Sequence, residues 1–415
     1  MEQMFPHCAG LDVHKKTVVA CVLVTAADGK LQAVKRQFGT TLAGLEQLAA
    51  WLLSYGVTHV VMESTGVYWK PVYNVLAPQC EVWVVNAQHV KQVPGHKTDG
   101  SDAEWLARLM CYGLLERSFI PDEEQRELRD LTRYRTRLTA ERAAAANRLE
   151  KTLEDANIKI TSVLTDIQGV SARAMLEALI GGESEPVVMA ELARGRLRAK
   201  LPQLEEALAG RMRPHHRFML RELLTHLDHI GASIATVNER IAELTAPYEA
   251  IIQRLSAVTG IKRHTAEVIL AEVGPDITPF PTAKHLASWA CLCPGNNLSA
   301  GKRRSGQTRR GQPWLRAALV EAAWAASHSL DTYLAAQFQR LRARRGDKRA
   351  AVAVAHSILT IVWHLLANPE AVFTELGGDY FLKKNPEREQ RRAVRKLEAL
   401  GFTVTLTPAA AAVAT

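Results

Sequence analysis

The chain of 415 residues is longer than one hydrophobic core usually organises, so two or three structural units are expected. Its 47% hydrophobic and 23% charged residues exclude wholesale disorder, and six scattered cysteines exclude a small disulfide scaffold. Fifty-two Lys and Arg against 43 Asp and Glu leave a net charge of +9, a bias toward polyanionic partners whose meaning depends on where the charge sits. The only close cysteine pair, Cys291 and Cys293, has no second pair at zinc-finger spacing, so structural zinc is not expected and the thiols are read as reduced. The start MEQMFPHCAGLDVHKK lacks a basic region, apolar run and cleavage site, which makes the cytoplasm the expected compartment. The most apolar stretch, residues 350–367, is interrupted by His356, Ser357, Thr360 and His364 and reads as a buried helix, not a membrane span.

Short apolar runs at residues 9–13, 17–25, 31–38, 57–62 and 81–85 alternate with helical patterns at 42–54, 67–76 and 101–112. Asp28-Gly29, between the second and third runs, reads as a hairpin turn. Three strands, helix, strand, helix, strand, helix is the order of a ribonuclease-H-like α/β core, assigned to residues 1–120. After Pro121, residues 123–157 are charged, Ala-rich and helical. In residues 217–244, Leu223, Leu227, Ile230, Ile234, Val237, Ile241 and Leu244 recur at alternating steps of four and three. These heptads predict a coiled-coil seam between long helices, in one chain or between protomers; a helix packed inside its own bundle is the alternative. Within this region, 121–250, residues 181–216 are less regular and read as a variable insertion. Residues 251–376 read as mostly α-helical, with helices at 314–330 and 348–366, and 377–415 as a C-terminal extension with a basic, solvated helix at 383–396.

Four carboxylates carry the chemistry. Asp12 lies in the first strand, Glu63 ends the fourth apolar run, and Asp99 and Asp102 stand three apart at the entrance to a helix, where they can share a face. If the first and fourth strands are neighbours and the helix lies over their ends, the acids converge. Their repulsion is then relieved by one or two divalent cations, with magnesium the natural choice for oxygen ligands. Two such ions can stabilise the attacking and leaving oxygens of phosphoryl transfer. Singly, each acid has a structural reading: a strand end for Asp12, a turn for Glu63, a helix cap for Asp99 or Asp102. Glu104 competes as the fourth ligand.

Residues 254–274 read as helix, tight turn, helix. Gly260 would free the backbone to approach a phosphate, Thr265 would cap the second helix, and Lys262 and Arg263 would supply charge, as in a helix-hairpin-helix phosphate binder. An ordinary αα corner is the alternative. In residues 292–316, Lys302, Arg303, Arg304, Arg309, Arg310 and Arg316 occur with no acid between them. Gly295, Gly301, Gly306 and Gly311 suggest a mobile loop lying against a phosphate chain. Ser299, with small neighbours and nearby cations that ease formation of an alkoxide, is the candidate nucleophile, and Ser305 its rival.

Five ordered motifs, GLDVHKK, VVMESTGVYWKPV, VNAQHVKQVPGHKTDGSDAEWLARL, VTGIKRHTAEVILAEVG and CLCPGNNLSAGKRRSGQTRRGQPWLR, make the chain similar to transposases of the insertion-sequence one-ten family, in its subgroup with the longer coiled coil. The resemblance covers about residues 7–370. It implies a RuvC-like nuclease domain, a coiled coil and a helical transposase domain, acting as a site-specific DNA recombinase guided by a structured RNA from the element. It further implies Asp12, Glu63, Asp99 and Asp102 as a magnesium-binding tetrad and Ser299 as a nucleophile that joins covalently to DNA. The two sites would come from different protomers of a homo-oligomer, a dimer or tetramer. Lys15 and Lys16 of the first motif join Lys262, Arg263 and the loop cations as expected nucleic-acid contacts. Two rivals remain: a metal-only structure-specific nuclease in which water attacks and Ser299 is inert, and a nucleic-acid-binding protein without catalysis. Four acids beside a phosphate backbone argue against the second.

Overall fold

The computed structural model describes residues 3–25, 31–64, 66–86, 90, 102–294, 297–299, 302–305, 307–308 and 313–407. The chain forms two compact units, Met1–Ile120 and Pro121–Thr415.

The first unit contains β1 (Cys8–Val13), β2 (Thr17–Thr25), β3 (Leu31–Gly39), α1 (Leu42–Ser54), β4 (His59–Glu63), α2 (Trp69–Leu76), β5 (Glu81–Val85) and α3 (Asp102–Cys111). The sheet order is β3-β2-β1-β4-β5. Short connections make β1, β2 and β3 antiparallel neighbours, whereas returns through α1 and α2 bring β4 parallel to β1 and β5 parallel to β4. This is the expected ribonuclease-H-like order, with element ends within one or two residues of the sequence reading. Asp28-Gly29 lies outside the described residues.

Both sheet faces are covered, and the two-residue period of a strand decides which side chain meets which helix. Ala9, Leu11 and Val13 of β1 and Val60 and Met62 of β4 pack with Leu45, Leu48 and Leu52 of α1 and Val72 and Leu76 of α2. Cys8 and Val61 belong to the opposite core, with Ala103, Leu106, Ala107 and Met110 of α3.

The second unit begins where Pro121 ends the preceding segment and the Asp122 carboxylate accepts from the Gln125 amide (2.8 Å), capping α4 (Glu123–Asp155). It continues with α5 (Val170–Gly181), α6 (Pro186–Ala190), α7 (Leu201–Leu208), α8 (Pro214–Thr245), α9 (Glu249–Ser256), α10 (Arg263–Val273) and α11 (Ala283–Trp289). After β6 (Asn297–Ser299) and β7 (Lys302–Ser305) come α12 (Pro313–Ser327), α13 (Tyr333–Arg345), α14 (Asp347–Ala367), α15 (Tyr380–Lys384) and α16 (Pro386–Ala399).

Helices α4 and α8 pack antiparallel: Arg135 donates to Asn238 (3.1 Å) near one end, and His216 meets Asp155 (2.7 Å) at the other. The heptad residues Leu223, Leu227, Ile230, Val237 and Ile241 are buried, and Ile234 and Leu244 half-buried. The apolar face of α8 is thus covered within its own chain. The supposedly irregular residues 181–216 instead hold α6, a 3-10 helix at Gly195–Lys200, and α7. Pro186 and Pro202 sit in first turns, where a missing amide costs nothing, so these prolines start helices. Helix α14 is long and apolar enough to cross a membrane by length and composition. Its stripe of Ala351, Val354, Ala355, Ile358 and Val362 is buried in the helical unit, the pattern of a core helix. All six cysteines are free thiols.

Candidate active site

The β1–β4 register pairs Leu11 with Met62, so Asp12 and Glu63 come next in register, at the ends of two adjacent parallel strands. Leu11 and Met62 face α1 and α2, and strand alternation turns Asp12 and Glu63 to the face covered by α3. Helix α3 runs antiparallel to β1. Ala103 lies on Gly10, the Ala107 carbonyl accepts from the Cys8 thiol (3.5 Å), and the Cys111 carbonyl accepts from the Met4 and Phe5 amides. The helix therefore starts, with Asp102, toward the carboxylate end of the strands.

Gly10 makes this approach possible. A Cβ there would stand 2.1 Å from the Ala103 carbonyl oxygen and 2.5 Å from the Ala107 nitrogen. A glycine inside a strand marks close backbone approach, and Gly10 within the apolar run of β1 is the one signal of this contact in the amino-acid order.

Asp12, Glu63 and Asp102 are all partly buried, and Asp12 Oδ2 lies 3.2 Å from Nε2 of the exposed His14. Asp99 lies outside the described residues. Glu104, the competitor, is bound by Lys35 (2.8 Å) and Arg108 (2.8 Å), and hydrogen bonds from these two hold its carboxyl below the usual carboxylate range. Its charge is already balanced, which leaves it unsuited to a metal. Lys15 and Lys16 are exposed in the turn that follows β1. By donor type and by strand placement the acids suit a hard divalent cation. Among the described residues, however, no three His, Cys, Asp or Glu side chains come close enough to form a metal-binding cluster.

The basic segment, expected to be a mobile loop, includes a two-stranded ladder. Asn297 pairs with Ser305, Leu298 with Arg303 and Ser299 with Lys302, with an irregularity between Asn297 and Leu298. Strand pairing satisfies backbone groups that the glycine-rich sequence had suggested would stay open. Ser299 ends β6 beside the connection to β7, while Ser305 stands at the opposite end of the ladder. Lys302, Arg303 and Arg304 lie on β7, Arg316 is half-buried on α12, and Arg309 and Arg310 lie outside the described residues.

The helical hairpin departs from its expected details. Gly260 has φ +90°, and a Cβ on it would stand 2.3 Å from the Ala322 carbonyl of α12, so its bareness serves helix packing, not a phosphate. Thr265 does not cap α10: it is the third residue of that helix, and the capping position is Lys262, whose side chain makes no cap bond. Arg263 is paired with Glu249 (2.9 Å) and Glu267 (2.9 Å), whereas Lys262 is exposed. These features match the αα corner that the sequence had left open.

A family model of IS110 transposases of the DEDD type, described as transposase, matches residues 9–158. A second, described as transposase of the IS116/IS110/IS902 family, matches residues 252–339. The first interval spans all four acids and the second spans Ser299. The chain is 28% identical over 315 residues to a probable family 20 transposase of Pseudomonas aeruginosa, covering 74% of this chain and 83% of that protein. It is 26% identical over 331 residues to the transposase for insertion sequence element IS1111A of Coxiella burnetii, covering 78% and 82%. A 43.6 kDa protein of insertion element IS110 from Streptomyces coelicolor is 26% identical over 310 residues, covering 66% and 71%. The DEDD family implies dependence on a divalent metal, and a transposase acts on DNA. With a ribonuclease-H-like sheet bearing acids at its strand ends and both family matches in order along it, this chain belongs to the IS110 family of DNA transposases.

Proposed function

We propose that this transposase cuts and rejoins DNA with Ser299 as nucleophile and with magnesium held by Asp12, Glu63, Asp99 and Asp102, guided by a structured RNA from its element. The observation that carries this reading is the placement of Asp12 and Glu63 at neighbouring parallel strand ends, on the face where α3 begins with Asp102. Ser299 is supported by the motif around it and by its position beside Lys302 at the end of the basic ladder.

The Ser299 hydroxyl loses its proton and its oxygen bonds to phosphorus, while the bond to the leaving sugar oxygen breaks and that oxygen takes up a proton. One phosphodiester replaces another, so the bond energy is kept and rejoining needs no external source. A divalent cation at the four carboxylates supplies charge stabilisation at the phosphate. Lys15, Lys16, Lys262, Lys302, Arg303, Arg304, Arg309, Arg310 and Arg316 contact the phosphate chain. In this reading the acids and the serine come from different protomers of a dimer or tetramer, with α4 and α8 as its coiled-coil arm. The protein works in the cytoplasm, on the nucleoid.

Denaturing gels of end-labelled DNA, incubated with protein, guide RNA and magnesium, test this. Wild type and Ser305→Ala are expected to give a covalent protein–DNA species, and Ser299→Ala none, with DNA binding retained. Asp12→Asn, Glu63→Gln or excess chelator is expected to abolish cleavage. An adduct that persists in Ser299→Ala would move the nucleophile elsewhere. Cleavage by wild type without any adduct would favour the metal-only nuclease.

A further inference from the structure

Arg129, Arg133 and Arg137 recur at steps of four on α4 and so form one stripe of that helix. Two tryptophans stand against it. Arg129 lies 5.9 Å from the ring centre of Trp289, and Arg133 and Arg137 lie 5.9 and 5.3 Å from that of Trp314. Trp289 ends α11 and Trp314 is the second residue of α12, so the pair brackets the segment that carries β6, β7 and Ser299. Both ends of the serine segment therefore rest on one row of guanidinium groups.

The row is itself locked to α10. Arg133 donates to both oxygens of Glu272 (2.7 and 2.8 Å), whose carboxylate is fully buried. Arg129 donates to the Ala271 carbonyl (2.9 Å), as does the Gln125 amide (3.0 Å). Two residues after Arg133, off the stripe, Arg135 meets the buried Glu267 at 2.6 Å. Releasing a partner from such pairs would strand a buried charge, so α4 cannot slide along α10 without a large cost. Arg133 takes part in both sets of contacts, linking the buried lock to Trp314.

We infer that Arg129, Arg133 and Arg137 are positioning residues that hold the base of the β6–β7 hairpin through Trp289 and Trp314, so that Ser299 at its far end is presented in one place. The inference rests on the reading of Ser299 as nucleophile. It assigns α4 a task beyond pairing with α8: the helix that forms the arm also sets the serine hairpin.

The test uses the full chain with Arg137→Met, Arg137→Lys, Trp314→Leu and Trp314→Phe. Arg137 is exposed, so its replacement leaves the core untouched, and Lys and Phe keep a cation and a ring. Amide hydrogen exchange over residues 297–305, which needs no activity, is expected to quicken by roughly fivefold in Arg137→Met and Trp314→Leu and to stay near wild type in the conservative pair. At saturating DNA and guide RNA, adduct formation is expected to slow by roughly fivefold in the same two variants, with DNA affinity unchanged. Unaltered exchange and rate in Arg137→Met, or equal loss in Arg137→Lys, would overturn the inference, as would a rate loss explained wholly by weaker binding. If wild type forms no adduct, the nucleophile reading fails, and the exchange data still decide whether the stripe holds the hairpin.

Discussion

A missing side chain at Gly10 decides where Asp102 lies, because α3 rests directly on the backbone of β1 at that point. Gly10→Ala places a methyl group against backbone atoms that have no room to yield, an overpacking expected to cost about 1–3 kcal/mol. Melting temperature and DNA cleavage, measured together, should both fall although no acid has been changed. Wild-type cleavage by Gly10→Ala would show that the α3 contact does not set the site. Other residues show the same dependence on neighbours. Glu104 competed with the chosen fourth ligand in the sequence, and Lys35, brought across from β3, together with Arg108 one turn along the same helix, takes it out of contention. Thr265 had the right chemistry for a cap but falls inside the helix, and Arg263 looked available to phosphate until Glu249 and Glu267 closed on it.

Helix α8 shows what periodicity reveals about an element. Its heptads report an apolar stripe, and that stripe is buried, but they are silent about what covers it. Here α4 of the same chain does so. Leu227→Asp or Ile241→Asp, which forces a carboxylate into this seam, is expected to destabilise the fold by about 3 kcal/mol or more. Thermal melting should register the loss, and light scattering below the new midpoint should find the oligomeric state unchanged. A changed oligomer at an unchanged melting temperature would place the decisive partner of α8 in another protomer. Residues 181–216, read as a variable insertion, hold Pro186 and Pro202 in the first turns of helices, and within residues 292–316, read as a mobile loop, Asn297–Ser299 pairs with Lys302–Ser305.

Over the whole molecule the excess positive charge gains meaning from its distribution. β7 alone carries Lys302, Arg303 and Arg304, beside the candidate nucleophile. If these bind phosphates, Arg303→Ala with Arg304→Ala should weaken DNA binding across unrelated sequences and reduce the slope of log affinity against log salt by about 2. Titrations at several salt concentrations measure it. An unchanged slope with a new base preference would contradict phosphate contact.

Strand order, helix limits and the buried faces of β1, β4 and α8 were legible in the amino-acid order, because each depends on local periodicity and on the length of the connections. The acids and Ser299 were singled out for a different reason: the motifs around them resemble a family, and the two family matches bear out the transposase as a whole, while the roles of these residues stay a proposal. The sequence alone could not determine which cations were already spent on carboxylates, which glycine served packing, or that two tryptophans on separate helices would meet one arginine stripe. Those outcomes depend on groups more than a hundred residues apart, such as Arg133 and Glu272, becoming neighbours. Periodicity records which face of an element is apolar; only the closed tertiary packing chooses the partner for each polar group, because the cost of leaving a charge unpaired arises only once that packing excludes water.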